Sequence, residues 1–109
     1  MSDLAQKTCV ACEGGTPPLT PEQIQQLLPQ VNDWQVLENK HIEKNFTFKD
    51  FKELMQFVNR VADVAEAEGH HPDLHIFYNK LRIELWTHAV KGLSENDFIL
   101  AAKIDELSN

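Results

Sequence analysis

Apolar positions recur along the chain with two different periods. Phe51, Leu54, Phe57, Val58, Val61, Ala62 and Ala65 follow steps of three and four, the spacing that gathers side chains on one face of an α-helix. They predict an amphipathic helix of about five turns. Gly69 stands where a left-handed cap is favoured, so this helix should end just before His70 and His71. Two stretches instead alternate with period two. In His41–Phe48, Ile42, Phe46 and Phe48 share one face and Glu43, Asn45 and Thr47 the other, with Lys44 breaking the pattern. Together with Trp34–Glu38 and a turn at Asn39, this predicts a hairpin. Ile76 and Tyr78, then Leu81, Ile83 and Leu85, predict a second pair of strands with Asn79 and Lys80 as the turn.

Two further helices are announced by their caps. Thr20, Pro21 and Gln23 combine a hydroxyl cap, a first-turn proline and a reciprocal amide, followed by Ile24, Leu27 and Leu28 and ended by Pro29. Ser94 as cap, Asp97 reaching back and Leu93 packing on Phe98 start a last helix carrying Leu100, Ala101, Ala102 and Ile104. The order α-β-β-α-β-β-α predicts an α+β two-layer sandwich, a four-stranded antiparallel sheet with three helices on one face. Its unpaired edges would be satisfied by a second copy, so a homo-oligomer is expected.

With 109 residues the chain is long enough for one domain, taken here as 19–109 after a flexible leader over 1–18 that closes on Gly14, Gly15, Pro17 and Pro18. Composition is ordinary, but 17 acidic residues against 10 basic ones leave a charge of −7. That field repels phosphates, so neither nucleic acid nor a membrane surface is an expected partner. No apolar run reaches the length of a membrane span and no secretion signal opens the chain, so a cytoplasmic location is expected. Cys9 and Cys12 form a C-x-x-C in the leader. A redox pair belongs between a strand and a helix, and a zinc site needs further ligands, so two reduced thiols in an irregular segment is the reading adopted.

Four of the five histidines lie between positions 70 and 88. Imidazole titrates near neutrality, which suits proton transfer or metal binding. Glu66, four residues before His70, would share a helix face with it and favour its charged form. Pro72 biases His71 toward an extended conformation. His88 closes the fourth strand on the face of Arg82, Glu84 and Trp86, and Asp97 could orient it or serve only as a helix cap. His75 points away from Ile76 toward rim or surface. A metal site would recruit His70, His71, His75 and Asp73, but adjacent histidines rarely reach one ion and no H-E-x-x-H spacing is present, so no metal is expected.

The run EAEGHHPDLHIFYNKLRIELWTHAVKGLSENDF resembles the pterin-4a-carbinolamine dehydratases. Their pattern of an acidic residue, His-His-Pro, an aromatic residue, a histidine and an aspartate is filled by Glu66, His70, His71, Pro72, Tyr78, His88 and Asp97. The similarity extends from about Thr20 to Leu107 and includes Trp34 and FTFKDF; Leu74 departs from it, where many members carry an aromatic residue beside the site. The resemblance implies a homodimer or homotetramer with sheets joined edge to edge. It implies removal of water from 4a-hydroxytetrahydropterin, the product of aromatic amino acid hydroxylases such as phenylalanine hydroxylase, to give quinonoid dihydropterin for tetrahydropterin recycling. His70 and His88 would then donate protons, and His71 would chiefly bind the pterin, alongside Pro72 and Tyr78. Glu66 and Asp97 would support the histidines. The alternative is a non-catalytic interaction module, since some relatives of the fold are transcription-factor dimerisation or assembly partners.

Overall fold

In a computed structural model, which describes residues 4–10 and 17–108, the chain forms α1 (Pro21–Leu27), β1 (Gln35–Leu37), β2 (His41–Thr47), α2 (Phe51–Glu68), β3 (Asp73–Phe77), β4 (Lys80–Leu85) and α3 (Glu95–Leu107). Short 3-10 turns occupy Leu4–Gln6, Leu28–Gln30 and His88–Val90. The caps behave as their chemistry requires. Thr20 Oγ1 accepts from Gln23 N–H at 3.2 Å while Gln23 Oε1 accepts from Thr20 N–H at 2.8 Å. At the start of α3, Asp97 Oδ2 accepts from Ser94 N–H at 3.0 Å. Helix α2 ends at Gly69, whose φ of +67° suits a residue without a Cβ.

The four strands pair antiparallel in the order β1-β2-β4-β3. Two hairpins are therefore joined through β2 and β4, leaving β1 and β3 at the edges. Ile42, Leu81, Ile83 and Leu85 point to one side and form a single core with Ile24 of α1, Leu54, Phe57, Val58 and Val61 of α2, and Phe98, Leu100 and Ile104 of α3. The layered α+β architecture is the expected one. Phe51, placed on the apolar face of α2 by its spacing, sits in the first turn beyond the core and is exposed.

The second hairpin turns one residue earlier than expected, on Tyr78 and Asn79, with Phe77 opposite Lys80. Asn79 is tethered to the end of β2: its carbonyl accepts from Phe48 N–H at 2.8 Å and its side-chain amide donates to Phe48 O at 3.0 Å. That tether holds the turn in place and leaves Tyr78 at a φ of +54°. Lys44, the break in the β2 alternation, does face the core. Its ammonium meets Asp105 Oδ1 at 2.8 Å, and the same carboxylate accepts from Trp34 Nε1–H at 2.9 Å and from Asn32 N–H at 2.8 Å. A buried charge is tolerable only when paired and hydrogen-bonded in this way.

The segment expected as a leader is docked over its residues 4–10. Leu4 enters the core at 2% exposure, and Lys103 Nζ donates to Ala5 O at 2.9 Å. This explains why α3 is buried almost all round from Asn96 to Ala102: the sheet and α2 cover one side and the N-terminal segment the other. Cys9 lies in this segment; Cys12 falls outside the described residues.

Candidate functional site

The end of α2 and the start of α3 meet beside the rim of the sheet. His70 follows the left-handed Gly69, and its Nε2 lies 2.6 Å from Asp97 Oδ1. Asp97 is fully buried, and its other oxygen accepts from Thr87 Oγ1 at 2.8 Å as well as from Ser94 N–H. Thr87 Oγ1 also lies 2.7 Å from Ser94 Oγ. One carboxylate therefore links the segment after α2 to the segment after β4.

The acid–histidine pairings differ from those expected. Glu66 was expected beside His70, but the helix has ended before position 70, so the four-residue spacing no longer stacks the two side chains. Glu66 Oε2 pairs instead with His71 Nε2, and both side chains are exposed. Asp97, considered as a partner for His88, is the partner of His70. A carboxylate only accepts hydrogen bonds, so each pairing places the proton on Nε2 of its histidine. Nδ1 of both His70 and His71 is then the ring nitrogen that the carboxylate does not engage.

His88 opens the 3-10 turn after β4 rather than closing the strand. Its ring lies against Trp86 with centroids 3.7 Å apart, and His41 of β2 stacks on the same indole at 4.9 Å. Trp86 Nε1 also donates to Asp73 Oδ2 at 3.3 Å. The β3–β4 register pairs Asp73 with Glu84. His70 and His71 lie three and two residues before Asp73, and His88 lies four residues after Glu84. The three histidines thus belong to one end of the β3–β4 pair.

Tyr78 does not. It lies at the other end of the same hairpin, about five residues or 15 Å along the strand from Asp73, and is exposed. Leu74 pairs with Ile83 and packs against the core, away from the open face. His75 is on that open face, 3.4 Å from Glu84 Oε1, where Arg82, His41 and Glu43 also approach Glu84 or one another. Among the described residues no group of three or more His, Cys, Asp or Glu side chains could hold a metal ion. Sequence reasoning passed over Thr87 and the stacking role of Trp86, although Trp86 had been placed on the face of His88.

Residues 17–107 match the sequence profile of a family described as Pterin 4 alpha carbinolamine dehydratase. The chain belongs to that family. A Legionella pneumophila (strain Corby) relative is 53% identical over 108 residues, covering 97% of this chain and 96% of its own. One from Nitrosospira multiformis is 52% identical over 107 residues, covering 98% and 94%. Both carry pterin-4-alpha-carbinolamine dehydratase as a provisional name. A solved structure described as a transcriptional coactivator/pterin dehydratase from Brucella melitensis superposes with a TM-score of 0.80 at 30% identity, covering 84% of this chain and 99% of that one. A pterin dehydratase-like protein identified as a RuBisCO assembly factor in the α-carboxysome shares the fold, with a TM-score of 0.61 at 21% identity over 72% of this chain and 92% of its own. The pterin carbinolamine dehydratases are hydro-lyases, and the chain is an enzyme of this class. Among the described residues no helix is long and apolar enough to cross a membrane.

Proposed function

We propose that the chain removes water from 4a-hydroxytetrahydropterin to give quinonoid dihydropterin, using His70, His71 and His88 as acid–base and binding groups. The observation that carries this reading is the Asp97 carboxylate, which holds His70 with one oxygen and Thr87, the neighbour of His88, with the other. Dehydration needs a proton delivered to the hydroxyl on carbon 4a as the C–O bond breaks, and a proton removed from nitrogen 5 as the new C=N bond forms. One histidine gives and another takes, so the proton count of the set is unchanged, and a proton passing back from the acceptor to the donor restores the starting state. His70 and His88 would exchange the protons, and His71, paired with Glu66 and directed by Pro72, would orient the bicyclic ring. Acid–base catalysis of this type contributes about 10²–10⁴-fold, which needs neither metal nor organic cofactor.

In a single chain His71 is exposed while His70 is largely covered, and Tyr78 would contact a pterin only from a neighbouring subunit. A homodimer or homotetramer is supported by the β3 edge, unpaired among the described residues, and by the exposure of Ile76 and Phe77 on it and of Tyr78 just beyond it. The role would be recycling of tetrahydropterin in the cytoplasm beside an aromatic amino acid hydroxylase. The coactivator half of the name carried by the Brucella melitensis structure favours a second reading, an interaction module. The paired histidines speak against it, because docking alone does not call for them.

The test adds purified protein to a running phenylalanine hydroxylase reaction and follows decay of the carbinolamine. Acceleration over the spontaneous rate is expected, reduced in His71→Ala and His88→Ala. Decay at the spontaneous rate with the wild-type chain would overturn the assignment, and unimpaired turnover in both variants would remove the histidines from it.

A further inference from the structure

The contact between His70 and Asp97 joins two helix ends, and it is not the only tie between them. Across the outer side of the same junction runs the N-terminal segment. Cys9 N–H donates at 2.8 Å to Oε1 of Glu68, the last residue of α2 before its cap at Gly69. The Cys9 thiol donates to Asn96 O at 3.6 Å. Val10 N–H donates to Asn96 Oδ1 at 3.0 Å, and Asn96 Nδ2–H returns a bond to Val10 O at 2.5 Å. Asn96 is buried and immediately precedes Asp97. The segment is itself anchored by Leu4 in the core, by Lys7 against Glu95 at 3.1 Å, and by Lys103, which reaches both Ala5 O and Glu68.

These ties fall unequally on the two partners. Asp97 is already fixed to its own loop by Thr87 and Ser94. His70 follows a left-handed residue, and its backbone is held by a bond from its N–H to Ala65 O at 3.2 Å. On the outer side the end of α2 is tied through Glu68, which accepts from Cys9 N–H and lies 3.6 Å from Lys103 Nζ of α3. A hydrogen bond of 2.6 Å tolerates little displacement before it weakens steeply.

We propose that residues 7–10 form a strap that clamps the end of α2 to the start of α3, with Glu68 and Asn96 as positioning residues for the His70–Asp97 pair. The strap touches no substrate. It acts by keeping His70 at the distance and angle at which Asp97 holds its Nε2 proton, so that Nδ1 presents one fixed direction. The kinetic consequence rests on the dehydratase reading, whereas the positioning itself does not.

Two readouts separate those layers. In full-length Asn96→Ala and Glu68→Ala, folded by circular dichroism, the Nε2–H resonance of His70 should broaden or be lost to solvent exchange. In the dehydration assay kcat should fall about 10-fold with KM changed far less, since misplacement of a proton-transfer group costs turnover. Glu68→Gln, whose amide oxygen still accepts from Cys9 N–H, should restore both. An unchanged His70 resonance and unchanged kcat in the alanine variants would overturn the proposal, as would a Glu68→Gln variant as impaired as Glu68→Ala. Should the wild-type chain fail to dehydrate the carbinolamine, the dehydratase reading falls, and the His70 resonance alone decides for or against the strap.

Discussion

Replacing Asp97 by asparagine isolates the chemistry of one carboxylate with little change of shape. The amide oxygen can still accept from Thr87 Oγ1 and Ser94 N–H, which now meet Oδ2 at 2.8 and 3.0 Å. The amide nitrogen must then face His70 Nε2, where the carboxylate oxygen sat at 2.6 Å. Two N–H donors cannot share that space, so the imidazole has to move its proton to Nδ1 and turn Nε2 into an acceptor. The nitrogen proposed to meet the substrate is reversed in character, and the charged form of His70 loses its counter-ion. Turnover should therefore fall by about 10²–10⁴-fold, the range general acid–base catalysis supplies.

Stability should fall less markedly. Three bonds to a charged acceptor become bonds to or from a neutral amide at about 1 kcal/mol each, offset by no longer burying a charge, for a net loss of about 1–3 kcal/mol. In a domain of this size that lowers Tm by about 4–8 °C per kcal/mol. The assay is stopped-flow decay of the carbinolamine at a temperature where the variant is folded, with a thermal melt in parallel. Thr87→Val, which removes one bond from Oδ2 and leaves His70 paired, should cost about 1 kcal/mol and far less activity. An Asp97→Asn enzyme that stays folded and turns over within about twofold of wild type would refute the tautomer argument.

Other outcomes follow from the same geometry. Asp105→Ala strands the buried Lys44 ammonium and the Trp34 indole N–H, so denaturant unfolding should show a loss of about 3–5 kcal/mol. Gly69→Ala adds a Cβ that meets nothing within 4 Å but must adopt a φ of +67°, so it should cost about 1 kcal/mol of backbone strain. Burial, reinforced by the Glu68 carboxylate, pushes the Cys9 thiol from 9.0 up to about 12. Its alkylation at pH 8, read by peptide mass spectrometry, should be about 30-fold slower in the native chain than in the unfolded one, the loss of thiolate outweighing the gain in nucleophilicity. Because the folded thiol titrates higher, that contribution to stability is whole below pH 9.0 and fades as pH rises toward 12. Glu68 has the opposite sign: the Cys9 N–H and then Lys103 hold its carboxyl below 4.5, so its contribution is present at neutral pH. Melts of wild type and Glu68→Gln should converge as pH drops through that lower value.

The layers of the fold were readable because each element carried its own local signal. The period of α2, the two cap sequences and the alternation in β2 and β4 each follow from one segment's chemistry and survive in the folded chain. What was not readable depends on contacts between distant segments. The pairing of Asp97 with His70 arises because Gly69 ends the helix and turns the chain, so the spacing between Glu66 and His70 stops describing a helix face. The turn at Tyr78 is set by Phe48, 31 residues away from Asn79. Lys44 looked like a flaw in a strand until Asp105 and Trp34 were seen beside it. The docking of residues 4–10 did leave a trace, since the run FILAAKI in α3 is too apolar for a helix with one wet side. The composition of the leader concealed it.

Strand β3 is an outer strand, and its first residue, Asp73, lies two positions from His71. Whatever lays its backbone along that strand, whether a second subunit or an extended segment of another protein, comes to rest beside the rim that carries the histidines. On the proposed assignment recruitment and reactivity would adjoin mechanically in this architecture, and occupancy of the one would be felt as altered access or rigidity at the other.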